Sequence, residues 1–302
     1  MTGFDTLVVG LGSIGMRHVR VLERLGRRVA TVSRRGGGTF PDVAAAMARG
    51  RPDYVVIASE TALHGAHIEA LAGLGYDQTV MVEKPLLAAP QALPENRFSR
   101  LYVGYNLRFH PVVARLREQV GGMRALTASA YVGQHLAGWR PGRDYRATSS
   151  ASRATGGGVL RDLSHELDLL LWLFGGWRGV AAAIGASGTL DIDAEDNASL
   201  LLKLERCPAV SVAMNYLDRV PSRLLRIVGE ESTIVADLVA ATLACGDKTE
   251  TFSIDRDATY AAMHGAALAD GAGVCTAQEG LDVVELIDAA ERSASTGAWT
   301  VR

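Results

Sequence analysis

Cysteine is scarce in this chain: Cys207, Cys245 and Cys275 are the only three in 302 residues, and they are widely scattered. An odd, dispersed set builds neither a disulfide framework nor a zinc site and reads as reduced thiols in a cytoplasmic protein. Charge of one sign is lacking too. With 31 basic and 33 acidic residues the net charge is −2, so neither nucleic acid nor an anionic membrane is an expected partner. No apolar run is long enough for a transmembrane helix. Polar Thr2 and acidic Asp5 stand where a secretory leader would begin, so no leader is expected. Internal repeats and low-complexity tails are also missing. What is there is balanced: 48% hydrophobic and 21% charged residues, the composition of a soluble globular protein of one large or two medium domains.

The first half alternates between two periods. DTLVVGLGSIGMRHVRVLERLG opens with an apolar run, places Gly10, Gly12 and Gly15 in G-x-G-x-x-G spacing, and continues with Val19, Leu22 and Leu25 on one helical face. Strand, glycine turn and helix form the context in which this motif binds a dinucleotide. Gly10 permits the tight turn, Gly12 lets a pyrophosphate approach the backbone, and Gly15 lets helix and strand pack closely. The amides at the helix start, around Ser13 and Ile14, attract the phosphates. RRVATVS, PDVAAAMARG, PDYVVIAS, TALHGAHIEALAGLG, QTVMVEKPL and RLYVGYNLRF then read as strand, helix, strand, helix, strand and strand. This is a doubly wound parallel sheet. Ser33, Ser59, Lys84 and Asn106 fall at or just past strand ends, where ligands of such sheets lie. Lys84 closes a buried strand, and Pro85 holds it extended. The bland alternative is an exposed lysine at a strand end.

Residues 1–110 are therefore expected to form a Rossmann dinucleotide-binding domain, and 111–302 a second, α+β domain. In the latter, a helix (112–120) leads to a strand in MRALTASAYVGQHL and then to a polar, glycine- and arginine-rich segment, 138–158. A single helix is predicted from near Val159, then strands from GVAAAIGASG to ETFSI, then helices at 257–269 and 277–294. Consecutive strands predict a largely antiparallel open sheet with helices on one face. Its bare face suits a homodimer or homotetramer. In the helix from Val159, Asp162, His165 and Asp168 recur at i, i+3 and i+6. A carboxylate one turn from an imidazole fixes its tautomer and raises its basicity, as a general acid/base requires. A hydrogen-bonded core histidine is the alternative. A metal site is a third reading, and no matching ligand cluster occurs elsewhere in the sequence.

Together GLGSIGMRH, VVIASETALHGAH, VEKPL, GYNLRFHP and GGGVLRDLSHELDLLLWLFG resemble the motifs of the Gfo/Idh/MocA oxidoreductases, the glucose–fructose oxidoreductase and inositol dehydrogenase family, in the family's order. GQHLAGWRPGRDYR before the histidine helix is similar to members linked to surface-polysaccharide and unusual-sugar pathways. The resemblance implies that Lys84 touches nicotinamide and substrate, that Glu83 lies beside the cofactor ribose, and that His64 is near the cofactor. It implies that His165 transfers a proton and that Arg108 helps to build the substrate side. Two departures stand out. The family's usual T-P is Ser59-Glu60 here, and Asp162 precedes the histidine by three residues where many members have four.

The expected activity is hydride transfer between a nicotinamide and a hydroxyl or ketone carbon of a sugar, sugar nucleotide or cyclitol. Lys84 would polarise the oxygen, His165 would exchange its proton and Asp162 would orient His165. Trp139, Arg143 and Tyr145 from the polar segment would hold the sugar. NADP(H) is the preferred cofactor, with NAD(H) possible: strand two ends in Ser33, Arg34 and Arg35, with no acid until Asp42, whereas an NAD site carries a carboxylate about 20 residues beyond the glycines. Ser33 and Arg34 would be the main contacts and Arg35 the support. Two rival readings differ in kind. A non-catalytic cofactor-sensing regulator would lack the lysine or the histidine, and both are present. A reductase of a tetrapyrrole or an imine would need a more apolar cleft than the 138–158 segment offers.

Overall fold

The computed structural model describes residues 3–139 and 142–302. The chain divides into two compact units, Met1–Phe109 with Arg256–Leu281, and His110–Asp255 with Asp282–Arg302. The linear division at residues 110 and 111 had no such return of the chain to its first unit.

In the first unit, β1 (Thr6–Val9), β2 (Val29–Val32), β3 (Tyr54–Ile57), β4 (Thr79–Val82) and β5 (Arg100–Val103) form a parallel sheet in the order 5-4-3-1-2. β1 and β3 are buried along their whole length, as strands covered on both faces must be, and so they are continuously apolar. α1 (Ser13–Arg24), α2 (Val43–Arg49) and α3 (His64–Gly73) supply the crossovers. The returning helix Ala258–Leu268 joins α1 on one face: Val19 and Leu22 of α1 share a core with Met263 and Ala267, over Val8, Tyr54, Val56 and Met81 of the sheet. A two-residue strand, Cys275–Thr276, pairs antiparallel with β5 at the sheet edge. It is too short to carry a periodic signal. RLYVGYNLRF is not one strand: β5 stops at Val103, and Asn106–Phe109 is a short 3-10 turn.

Among the described residues, the second unit is built on nine strands. β6 (Ala125–Gly133), β7 (Trp177–Gly185), β8 (Asn197–Leu204), β9 (Val210–Asn215), β10 (Ser222–Gly229), β11 (Thr233–Asp237), β12 (Thr242–Cys245), β13 (Lys248–Thr251) and the C-terminal Thr300–Val301 lie in the order 13-12-11-10-6-9-8-7-C-terminal. Every pair is antiparallel except β6 with β9. β8 shows the alternation of a one-sided sheet: Ala198, Leu200, Leu202 and Leu204 are buried, while Ser199, Leu201 and Lys203 are exposed. α4 (Pro111–Gly121) begins with proline behind a His110 cap. Of the expected strand ETFSI only Glu250 and Thr251 are in a strand, the end of β13, which forms a hairpin with β12 turning at Gly246-Asp247. β13 is exposed at every position, so no hydrophobic alternation marks it.

The predicted single helix from Val159 is two: α5 (Val159–Asp162) and α6 (His165–Phe174). Ser164 Oγ donates to Arg161 O at 2.9 Å, a side chain competing with the helical ladder where the break occurs. Gly158 opens α5 at φ +110°, and a Cβ there would lie 2.2 Å from Glu195 Oε1. Only glycine fits that entry.

Candidate active site

Register decides where the first unit presents its chemistry. Val9, Val32, Ile57, Val82 and Val103 are paired partners across the parallel sheet. The residues that follow them therefore leave from one edge: the Gly10 turn, Ser33, Ser59, Glu83-Lys84 and Gly104. The strand order reverses at β1, between β2 and β3, which is the switch point at which open α/β sheets take their ligands.

The glycine turn has the form a pyrophosphate needs. A Cβ on Gly15 would lie 1.9 Å from Gly10 O, so the helix rests directly on the turn. Around Gly12, by contrast, a Cβ would meet nothing within 4 Å. Gly12 caps α1 with no side-chain hydrogen bond, and no acidic residue stands in the first turn to oppose an anion. Ser13 and Ile14 supply the next amides of that turn. Beside it, Ser59 Oγ is buried with no hydrogen-bond partner among the described residues, a polar atom placed to accept or donate to a ligand. These features fit a dinucleotide.

Lys84 is the only residue between Val80 and Leu87 that is not buried, and its bond to Pro85 is cis. Its neighbour Glu83 is 6% exposed. Glu83 Oε1 lies 2.8 Å from His18 Nε2, and Oε2 accepts the Lys84 N–H at 3.1 Å. Burial alone would raise the Glu83 carboxyl, but the His18 hydrogen bond, the His18 and Lys84 charges and the Lys84 amide bring it below the usual carboxylate range. His64, 1% exposed, spans three carbonyls: Nδ1 faces Pro85 O (3.0 Å) and Leu86 O (3.2 Å), and Nε2 faces Ser59 O (3.2 Å). It lies between the segment after Lys84 and the loop after β3, and as a neutral ring it donates to one of the two. Burial lowers its pKa. Arg108 is 4% exposed and pairs with Glu279 at 3.1 Å. Glu279 also accepts from Thr276 N and Oγ1, the capping box of the long helix Ala277–Thr296.

At the end of β2, Ser33 begins a compact loop that rejoins the sheet at Phe40, whose N–H donates to Thr31 O. Arg34 and Arg35 are exposed on it. Arg35 pairs with Glu60 at 2.5 Å, so the residue standing in place of the family's proline reaches across to the β2 loop.

In the second unit His165 is the first residue of α6 and is 9% exposed. Asp162 ends α5, on the other side of the break, and its Oδ2 accepts the Tyr216 hydroxyl at 2.7 Å. Burial, with Asp162 next, raises the Tyr216 pKa well above its ordinary value, so this phenol stays a donor. Tyr216 meets Trp139 edge-on, with ring centres 5.1 Å apart. Trp139, Arg143 and Tyr145 line one shallow cavity with Leu136, Thr148 and Ser150, so the three candidates from the polar segment do converge. Glu166 follows His165 fully buried and pairs with Arg223 at 2.9 Å. The sequence reading missed Tyr216, His18 and His264. Tyr216 gave no motif. His18 stood in plain sight three residues past Gly15 but read as an ordinary helix position.

Two family models match the chain. The model described as an oxidoreductase family with an NAD-binding Rossmann fold covers residues 4–96, and the GFO/IDH/MocA C-terminal domain covers 126–235. No curated protein matches. Among solved structures, a levoglucosan dehydrogenase in complex with NADH and L-sorbose is similar at 16% identity and TM-score 0.83, over 99% of this chain and 98% of that one. The UDP-N-acetylglucosamine 3-dehydrogenase GnnA from Acidithiobacillus ferrooxidans is similar at 23% and 0.79, over 98% and 99%. The WlbA dehydrogenase from Bordetella pertussis, in complex with NADH and UDP-GlcNAcA, is similar at 20% and 0.78, over 100% and 99%. At these identities the likeness is one of fold.

Burial holds His64 and His264 below the ordinary histidine value of 6.5, His264 well below. A histidine depressed in the folded state binds fewer protons there than in the unfolded chain. Stability therefore rises with pH between the folded and unfolded values and falls on acidification below about 6.5. Glu195, whose carboxyl is raised by burial, works in the opposite sense but is a single group. The expected outcome is a Tm that drops between pH 6.5 and 5, with a shallower slope in His64→Gln. A Tm that rises over this range, or an unchanged slope in the variant, would contradict the assignment.

Proposed function

Because the chain belongs to the GFO/IDH/MocA oxidoreductase family and carries its NAD-binding Rossmann fold, we propose that it oxidises or reduces a hydroxyl or ketone carbon of a sugar, sugar nucleotide or cyclitol. The observation that carries this reading is the common edge of the parallel sheet. An open glycine turn at Gly12, an unsatisfied Ser59 hydroxyl and the partly exposed Lys84 all leave from it. When bound, the nicotinamide supplies or accepts the hydride. The protein's own part is threefold. Gly12, Ser13, Ile14 and Ser59 hold the dinucleotide. Lys84 polarises the reacting oxygen and stabilises its developing negative charge. His165 exchanges the oxygen's proton, with Asp162 and Tyr216 as the polar support of its helix. Trp139, Arg143 and Tyr145 take the sugar. Glu83, His64 and Arg108 act as framework, since each is buried and has protein partners of its own. The substrates named for GnnA and WlbA are nucleotide sugars, which favours that class as the first to be tried. The outward face of the nine-stranded sheet, with Leu126 and Leu201 exposed, is read as the seat of a second copy in a homodimer or homotetramer. Light scattering would then give a multiple of the 32.0 kDa chain mass.

Lys84→Ala should lower kcat by ~10²–10³, the usual worth of one charge-stabilising donor, with cofactor affinity retained. His165→Asn should slow turnover by ~10²–10⁴, the span of general acid–base catalysis, with the fold intact. The measurement is nicotinamide absorbance against a panel of sugars and nucleotide sugars. Near-normal kcat in Lys84→Ala, or unfolding of His165→Asn, would overturn the respective role.

NADP(H) preference belongs to the same reading, supported by the absence of any acid at the end of β2. A serine hydroxyl and a guanidinium suit a 2′-phosphate, and a planar fork binds it in two places. Two charge-assisted hydrogen bonds at ~1.5–3 kcal/mol each amount to roughly a hundredfold or more. The Arg35–Glu60 pair draws Arg35 partly away, leaving Arg34 and Ser33 as the principal contacts. Titration of both cofactors should show tighter NADP, a loss of that margin in Arg34→Ala and a gain in Glu60→Gln. Tighter NAD binding by the wild type would refute the preference.

A further inference from the structure

Four buried side chains of the first unit form one unbroken hydrogen-bonded line. Tyr54 Oη, on β3, lies 2.9 Å from His264 Nδ1, on the returning helix. His264 Nε2 lies 2.8 Å from His18 Nδ1, on α1. His18 Nε2 lies 2.8 Å from Glu83 Oε1, and Glu83 Oε2 accepts the Lys84 N–H. Tyr54, His264 and His18 are wholly buried. The rings meet edge to face, His18 with His264 at 75° and Tyr54 with His264 at 81°, so ring nitrogens are directed along the line. Among the described residues the one polar branch from Tyr54 is Met81 Sδ at 3.3 Å, a weak acceptor. Tyr260 closes the far side of His18 edge-on, with Arg17 over its ring and Asp257 on Arg17.

The donors can be counted. An ionised Glu83 can only accept, so His18 Nε2 must carry a hydrogen. If His18 is neutral, its Nδ1 accepts from His264 Nε2–H, and His264 Nδ1 in turn accepts from the Tyr54 hydroxyl. Every donor then points toward Glu83. If His18 carries a second hydrogen, on Nδ1, then His264 must accept at Nε2 and donate at Nδ1, and Tyr54 turns to Met81. In both cases the His18–Glu83 bond persists, and the state of Tyr54 and His264 follows from that of His18.

We propose that Tyr54, His264 and His18 are positioning residues that fix the Glu83 carboxylate, and through it the Lys84 main chain, from the far side of the sheet. Hydrogen bonds in such a line polarise one another in a low-dielectric interior. A change at Tyr54 is thereby felt at Lys84, across three intervening residues. The proposal rests on Lys84 as the residue that acts on substrate, so its test includes a readout that needs no turnover.

The experiment uses the full chain and three variants, Tyr54→Phe, His18→Leu and His18→Gln, the last restoring an amide donor toward Glu83. Nitrogen-15 NMR follows the imidazole N–H of His18 and the backbone amide of Lys84, with no substrate present. The expected result is a slowly exchanging His18 Nε2–H, shifted in Tyr54→Phe together with the Lys84 amide, and loss of Lys84 amide protection in His18→Leu. If Tyr54→Phe leaves both signals unchanged, the line is not coupled and the proposal fails, whatever the substrate. In turnover, His18→Leu should lose kcat about tenfold or more, the worth of one hydrogen bond to a charge, with the cofactor dissociation constant little changed and most of the rate recovered in His18→Gln. A merely structural histidine would lower Tm equally in Leu and Gln and leave kcat per folded molecule intact, which overturns the proposal. Should His18→Leu not fold, Tyr54→Phe decides alone. If no sugar is turned over while the NMR coupling is seen, it is the activity reading that has failed and not the relay.

Discussion

A carboxylate cannot be buried alone at the end of a central strand, and much of the first unit follows from that constraint. Removing an ion from water costs several kcal/mol in proteins even after relaxation, and the loss is recovered only if its oxygens find good partners. Glu83 finds two, the His18 imidazole and the Lys84 amide. His18 has its own second nitrogen to satisfy, and the residue that satisfies it, His264, comes from 246 positions further along. The return of Arg256–Leu281 to the first unit therefore has a polar reason besides the apolar one. Met263 and Ala267 fill the core over β1 and β3, while His264 on the same helix completes the line to Glu83. A parallel sheet of five strands could close without that helix; Glu83 and His18 could not be left as they are.

Much of this architecture was legible in the sequence, for identifiable reasons. The glycine spacing, the apolar strands and the helix signals of residues 1–110 are local, and local signals survive folding. The strand-end placements of Ser33, Ser59 and Lys84 were legible because parallel strands of equal length align their ends. What was not legible is non-local. Nothing near His264 indicates that it meets His18, and nothing near Glu279 indicates Arg108. The sequence presented Glu83 and Arg108 as polar residues next to motifs. Their partners lie 65 and 171 positions away, and only three dimensions show them buried and paired. Short elements escaped for a second reason: Cys275–Thr276 and the fully exposed β13 bury too little to leave a pattern.

The second unit shows the same division between local and remote. The apolar run marked α6 as helical, and the helix is buried nearly all round, Glu166 and Asp168 included. The break before it was hidden because a serine returning its hydroxyl to the preceding turn is a matter of rotamer and not of composition. The consequence is geometric. With one continuous helix, Asp162 and His165 would be neighbours one turn apart on a single face. With the break, Asp162 belongs to α5 and is held by Tyr216, on the segment that follows β9, while His165 opens a new helix beside the buried Glu166–Arg223 pair. Tyr216 in turn backs Trp139, so the polar segment with the candidate sugar contacts is braced by the same residue that holds Asp162.

Strand geometry explains why a buried acid and a partly exposed lysine stand side by side in the sequence. Successive residues of an extended chain point to opposite sides. Anchoring Glu83 inward, against α1 and the returning helix, commits the next residue to the other side, where Lys84 alone in the run 80–87 keeps contact with solvent. Pro85 offers no N–H and Leu86 is fully buried, while His64 holds the carbonyls of both. The lysine is thus pinned from both neighbours through groups that are not its own.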